Sequence, residues 1–386
     1  MGIMKKLVAV SAFGFLSYAA FLLLLTFPTP QRMIIYCNWV QFPFRPKFSL
    51  PEYYGFGHNQ VRNVRIKTSD NVTLGAWHIL PSDYYRRQDI RYQNVTDTIY
   101  DDALADPSYS TVVYLHGNAM NRAAPWRVDL YKALTNRFGL VNLVTIDYRG
   151  FGDSDGVPSE EGLRSDAKAT IDWLVQRNVP HGRITLIGHS LGTGVATTLA
   201  YDMTKAGTPP QALILKAAYS SLPNLIFEYR MLEIFPILGP LNYVPQLQNN
   251  SNSNSISISS ITYGGVNWVL SKLVHTFDSI SRIQHIDCPV LIVYGGSDIE
   301  IPGHNSHQLF HRAIYGSDAP APFTKHWLEN DRMVKQQTIP NEATVYTSLE
   351  RNPNARLVKL HHADHNNVGY YDYCYEAIAE TAHWKQ

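Results

Sequence analysis

The chain has 386 residues, enough for two or three small domains or for one large α/β unit. Its 33 Lys and Arg against 32 Asp and Glu leave a formal net charge of +1, which argues against a nucleic-acid binder, since those carry a basic excess or stripe. Hydrophobic residues at 45% and charged ones at 17% can bury a large core, which excludes disorder throughout. Cys37, Cys288 and Cys374 are too few for a disulfide scaffold and form no C-x-x-C pair, so a zinc ribbon and a thioredoxin-like redox site are excluded; their odd number leaves at least one thiol without an intrachain partner.

In chain order, Leu7 to Phe27 comes first, a 21-residue run without a charge. At about 1.5 Å per residue it crosses a hydrocarbon core of about 30 Å. Lys5 and Lys6 precede it and only Arg32 follows closely, so the short N-terminal side is expected in the cytoplasm. A cleaved signal peptide would have a shorter apolar region ending at a small-residue site, so a retained single-span anchor is the reading. Met1-Gly2 is no myristoylation signal, because Lys6 stands where Ser or Thr is required. Everything beyond about residue 30 is then lumenal or external, and three N-x-[ST] sequons lie there, at Asn71, Asn94 and Asn249.

Residues 31–60, rich in aromatics and Pro, read as an irregular juxtamembrane segment. Val61 to Leu80 alternates around a turn at Ser69-Asp70-Asn71 and predicts a β-hairpin. Residues 82–110 read as a polar insertion. Strands are then predicted at 111–115, 143–146, 184–187, 212–215, 290–294 and 356–360, with helices at 127–138, 160–176 and 192–204; in the second helix Leu163, Ala167, Ile171 and Leu174 share a face. Short apolar strands alternating with helices predict a buried, mostly parallel sheet with helices on both faces. The alternation stops near Tyr219. About 222–283 reads as an inserted cap, with an apolar part (Phe227, Ile234, Phe235, Leu238) and a polar low-complexity tip; about 316–355 reads as a second insertion.

The chemistry centres on Gly188-His189-Ser190-Leu191-Gly192, a G-x-S-x-G pattern between a predicted strand and a predicted helix. That context makes a nucleophile elbow, in which small residues flank a turn that lifts the serine above the sheet. A serine hydroxyl needs a base, and in this arrangement an acid and then a histidine follow in the chain. Asp298 lies just past the predicted strand 290–294, with Glu300 as its rival. After the last strand come His361, His362 and His365; His365, in a D-H-N turn clear of the strand, is the candidate base. The H-H-A-D-H cluster lacks the first histidine of an H-x-H-x-D-H metal pattern, Leu360 standing in its place, so neither metal nor cofactor is expected. His116-Gly117-Asn118-Ala119 follows a strand where acyl transfer needs a second oxyanion donor, so the backbone N–H groups of Asn118 and Leu191 are the candidates.

With these residues in view the chain resembles the serine hydrolases of the α/β-hydrolase fold, and among them the membrane-anchored group that hydrolyses monoacylglycerols and lysophosphatidylserine. The matching stretches are HGNAMNRAAPWRVDLYKAL (116–134), DYRGFGDSDGVPSEEGLRSDA (147–167), GHSLGTGVAT (188–197), TPPQALIL (208–215), PVLIVYGGSD and the late ADHN. The resemblance implies nucleophile Ser190, acid Asp298 and base His365, the residues that local context also selects, and it implies an anchored enzyme with a lumenal catalytic domain in the endoplasmic reticulum. Lys216-Ala217-Ala218-Tyr219 departs from the family, which usually carries an acidic residue and a Pro-aromatic pair there, and the last loop is shortened. The expected organisation is a cytoplasmic tip and anchor at 1–30, a juxtamembrane segment at 31–60, and an α/β-hydrolase domain at 61–386 with its cap at about 222–283.

The leading expectation is a membrane-tethered esterase for single-chain lipid esters, with no nucleic-acid partner and an oligomeric state that the sequence leaves open. A broad carboxylesterase, thioesterase or peptidase would use the same three residues. A non-catalytic receptor or scaffold on this fold would have no reason to keep all three in order.

Overall fold

A computed structural model describes residues 2–226, 271–316, 332–349 and 355–384, together with isolated positions between them. The apolar cap residues Phe227, Ile234 and Leu238, the side chain of Phe235, the polar tip and the sequon at Asn249 lie outside the described residues.

The elements run α1 (Gly2–Leu24), α2 (Pro28–Tyr36), β1 (Val61–Lys67), β2 (Thr73–Ile79), α3 (Ser82–Arg87), α4 (Asp97–Ala105), β3 (Ser110–Leu115), α5 (Pro125–Arg137), β4 (Val141–Ile146), α6 (Glu160–Val175), β5 (Ile184–His189), α7 (Leu191–Lys205), β6 (Ala212–Lys216), α8 (Leu222–Leu225), β7 (Arg230–Met231), β8 (Phe235–Pro236), α9 (Ser279–Arg282), β9 (Val290–Gly295), α10 (His304–Tyr315), β10 (Val334–Ile339), β11 (Ala343–Ser348), β12 (Ala355–Leu360) and α11 (Asp372–Thr381). Ten strands form one sheet in the order β1-β2-β4-β3-β5-β6-β9-β12-β11-β10. Its centre, from β4 to β12, is parallel, and both ends are closed by antiparallel strands.

Consecutive side chains of a strand point to opposite faces, and the central strands are buried at nearly every position because both faces are covered. Val113, Leu186, Leu213 and Ile292 pack with α6, α7 and α10. Their neighbours Val112, Ile187, Ile214 and Leu291 pack with α5 and α11 on the other side. The hairpin β1–β2 turns at 68–72, where Asn71 takes a left-handed φ of +69°. This is the expected α/β-hydrolase architecture, with a mostly parallel sheet between helices.

The structure differs from the sequence reading in four places. Residues 28–36 are helical rather than irregular. Pro28 and Pro30 are compatible with a helix start because the N–H each lacks has no partner in the first turn anyway. The stretch 82–110 contains α3 and α4, which pack in a small apolar cluster with Leu80, Ile90 and Tyr109. In the second insertion, β10 and β11 extend the sheet; β10, at the edge, buries little, so its alternation carries no strong apolar signal. Finally, α10 follows β9 and α11 follows β12, helices beyond the three that the sequence pattern predicts. The three cysteines are all free and buried.

Candidate active site

Ser190 sits between β5 and α7 with φ +51° and ψ −120°, a conformation that L-residues avoid and that a tight strand-to-helix turn imposes. The turn is pinned from both sides. The Ser190 N–H donates to the carbonyl of Lys216 on β6 at 3.0 Å, and the Ser190 carbonyl accepts from Thr193 N–H at 2.8 Å. A Cβ at Gly192 would run into the carbonyl of Leu115, and one at Gly188 into the backbone of Gly192, so both positions must be glycine.

Asp298 and His365 come from the loops after β9 and β12, which are parallel neighbours in the sheet. His365 Nδ1–H donates to Asp298 Oδ2 at 2.9 Å, which leaves Nε2 unprotonated in the neutral ring. The other carboxylate oxygen of Asp298 accepts the backbone N–H groups of Glu300 and Ile301 at 3.0 and 2.9 Å. Glu300 Oε2 lies 3.8 Å from His365 Nε2. Burial pulls the His365 pKa down, but the hydrogen bond and charge of Asp298, then Glu300 and Asp364, outweigh it and raise the pKa above its ordinary 6.5. His189 donates from Nε2 to the His365 carbonyl at 2.9 Å and so fixes the backbone of the histidine loop. Burial, reinforced by Lys216 and His365, holds the His189 pKa well below the usual range and keeps that ring neutral.

The loop after β3 is gripped by a residue the sequence reading did not single out. Arg127, on α5 and 2% exposed, donates from Nη2 to the carbonyls of Gly117, Asn118 and Ala119 at 3.2, 3.2 and 3.0 Å, and from Nη1 to Asn121 O at 3.0 Å. His116 Nδ1–H also donates to Gly117 O, at 2.7 Å. In a trans peptide the C=O of Gly117 and the N–H of Asn118 point opposite ways. Holding that carbonyl against α5 therefore turns the Asn118 N–H away from it. Ala119 and Met120 both take positive φ and donate their N–H groups to the carbonyls of Tyr36 and Val40, both at 2.8 Å. Leu191 opens α7, so its own N–H has no partner inside that helix.

The stretch 147–167 supports this loop structurally. Asp147 is fully buried and accepts from Arg122 N at 2.6 Å and Arg122 Nη1 at 2.5 Å, while Arg149 bridges Asp166 and the hairpin residue Asp70. Burial raises the Asp147 pKa, and the Arg122 contacts oppose it.

Two cavities meet at Ser190. One, of about 440 Å³, is lined by His189, Glu300, Asp364 and His365 together with apolar side chains such as Val40, Met120 and Trp126. The other is almost wholly apolar; it shares Ser190 and Asn118 and is walled by residues such as Leu191, Tyr219, Leu225 and Ile301. Ser190, Asp298, His365, Asn118 and Leu191 are therefore brought to one place. His361, at the end of β12, instead bonds Thr344 on β11 at 2.8 Å. Asn71 and Asn94 are exposed, in the hairpin turn and in the loop before α4. Among the described residues no group of three or more His, Cys, Asp or Glu is placed to hold a metal ion.

Residues 112–380 match the model of the alpha/beta hydrolase family, and the chain belongs to that family. Within it, the chain is similar to the lysophosphatidylserine lipase ABHD12 of Mus musculus, 31% identical over 290 residues that cover 74% of this chain and 64% of that protein. It is 30% identical over 285 residues to protein ABHD12B of Homo sapiens, covering 72% of this chain and 68% of that one. The chain thus spans just under two thirds of the length of the ABHD12 relatives it matches. Among solved structures, the Pyrococcus furiosus esterase Pf2001 is similar with a TM-score of 0.50 at 17% identity, covering 86% of this chain and 91% of that one, a likeness of fold.

Proposed function

We propose that the protein is a membrane-anchored serine hydrolase that cleaves the acyl ester of single-chain lipids, monoacylglycerols or lysophospholipids. The observation that carries this reading is the meeting at Ser190 of a cleft lined by His365, whose ring is held by the buried Asp298, with a second cavity whose walls are almost wholly apolar. Ser190 Oγ attacks the ester carbonyl, and His365 Nε2 takes its proton. Asp298 holds the ring in the required tautomer and stabilises the imidazolium. The N–H groups of Asn118 and Leu191 receive the oxyanion. His365 then protonates the leaving alcohol, and water releases the acyl group by the same route. The lipase name of the ABHD12 relatives supports a lipid ester as substrate.

The apolar helix Met4–Leu24, with a mean hydropathy of 2.2 and no burial against the rest of the chain, fits a membrane anchor. In this reading 1–30 is the cytoplasmic tip and anchor, 31–60 the juxtamembrane segment and 61–386 the hydrolase domain with its cap at about 222–283, facing the lumen of the endoplasmic reticulum. Protease treatment of sealed microsomes should leave the hydrolase domain intact and endoglycosidase should shift its mobility through Asn71, Asn94 or Asn249; complete digestion with no glycan would reverse the topology.

The activity is tested by labelling the full chain with a fluorophosphonate probe and by measuring product release from monoacylglycerols, lysophospholipids, p-nitrophenyl esters and peptides. Labelling with preference for single-chain lipids is expected; a preference for peptides would replace the substrate class, and no labelling or release at all would end the hydrolase reading.

Two kinetic results follow from the geometry. His365 must be neutral to accept a proton, and its pKa is raised, so kcat/KM should fall on the acid side with a midpoint above 6.5. Glu300→Gln removes one charge that raises that pKa and should shift the acid limb to lower pH; an unmoved limb would show that Glu300 does not act on His365. Arg127→Lys keeps the charge but loses the fork that spans four carbonyls. Its kcat should drop on the order of 10- to 100-fold with a smaller change in KM, as for a misaligned oxyanion donor.

A further inference from the structure

An anchor needs only a linker between membrane and enzyme, yet the segment that leaves α1 is built into the site. The apolar cavity at Ser190 is walled on one side by Leu25, Gln31, Ile34 and Ile35, which come from the end of the membrane-spanning run and from α2. Gln31 is 3% exposed, and its amide is fully engaged. Nε2 donates to Leu25 O at 2.8 Å and Lys272 O at 2.7 Å, and Oε1 accepts Val274 N–H at 3.0 Å. A buried amide is tolerated only when its bonds are made, so this one rivets α2 to the end of α1 and to the chain returning from the cap. Tyr36, with no exposed surface, packs edge-on against His275 and Phe277 with centroids 5.3 and 6.3 Å apart. Beyond it, the carbonyls of Tyr36 and Val40 hold the Asn118 loop.

We propose that the strap from Leu25 to Ile35 is the acyl-chain subsite of the enzyme, with Ile34 and Ile35 forming the wall against which a single hydrocarbon chain lies while its ester reaches Ser190. The inference rests on the hydrolase reading and extends it. One wall residue, Leu25, belongs to the uncharged run that crosses the bilayer, so the chamber begins at the membrane boundary. A chain drawn from the lipid phase passes from one apolar surface to another without crossing water. The other face of α2, at Met33, is half exposed and takes no part in the wall.

The test uses the full chain in detergent micelles and a series of p-nitrophenyl esters from acetate to stearate. Ile34→Trp fills the chamber and should lower the palmitate-to-acetate ratio of kcat/KM by about tenfold or more, because several buried methylenes lose their place. Ile34→Ala should move the preferred chain length upward, and it decides the matter if the Trp variant fails to label with fluorophosphonate. Met33→Ala should leave the profile as it is. Profiles of both Ile34 variants that superimpose on the wild type, or an equal change in Met33→Ala, would overturn the subsite. If the wild type labels and hydrolyses while the profiles stay unchanged, only the subsite fails; if the wild type neither labels nor hydrolyses, the hydrolase reading beneath it fails.

Discussion

Replacing Ser190 by Ala should abolish ester hydrolysis and leave the protein folded in the membrane. The substitution removes one oxygen and nothing else the turn depends on. Alanine carries the same Cβ, so the positive φ at the elbow is no more strained than before. The contacts that hold the turn are made by main chain at this position: N–H to Lys216 O, and C=O to the N–H and hydroxyl of Thr193 at 2.8 and 2.6 Å. Without Oγ there is no acyl-enzyme, and the rate should fall on the order of 10⁴-fold or more, to what the oxyanion donors and binding supply alone. Retained far-UV circular dichroism and membrane association alongside lost product release is the expected pair of measurements. Substantial turnover by a well-folded Ser190→Ala protein would move the nucleophile elsewhere.

Asp298→Asn should cost nearly as much, and far more than Glu300→Gln. One oxygen of Asp298 accepts two backbone N–H groups, from Glu300 and Ile301. An asparagine would place its carbonyl oxygen there, since an NH₂ facing two donors is unfavourable. Its NH₂ would then face His365 Nδ1, 2.9 Å away in the native pair, where the ring now donates. The ring could keep a hydrogen bond only by accepting at Nδ1 and carrying its proton on Nε2, the atom that must take a proton from Ser190. The expected loss in kcat is on the order of 10³- to 10⁴-fold. Glu300 acts on the ring through its charge, at 3.8 Å from Nε2, and its replacement should cost less than about tenfold. Steady-state kinetics of the two variants at one alkaline pH separates these cases, and equal losses would show that the acid is misplaced.

Much of this site was legible in the chain because its parts are local. The glycines around Ser190 are dictated by a turn only a few residues long, and Asp298 and His365 each stand just past a short apolar strand, where a parallel sheet delivers its loops to one edge. The face of α6 follows from a periodicity of three to four residues, the hairpin around 69–71 from an alternation of two, and the six central strands from short apolar runs. The helix at 28–36 was hidden by its prolines, and β10 by lying at an exposed edge where burial imposes little pattern.

The sequence by itself determined the nucleophile context, the order of the candidate triad, the parallel sheet and the apolar run long enough to span a bilayer, each set by residues near one another in the chain. Only the tertiary structure decided which groups those residues meet. Arg127 had to be seen against the carbonyls of 117–121, because an arginine on a helix is ordinarily a solvated charge, and its burial comes from the loop folding over it. His361 and His365, four positions apart, part ways because one remains beside β11 while the other turns over Asp298. Gln31 meets Lys272 and Val274 across more than two hundred residues, and no local pattern encodes that encounter; it exists because the sheet brings the start of the chain and the end of the cap to the same rim, where an apolar wall and a buried amide complete one another.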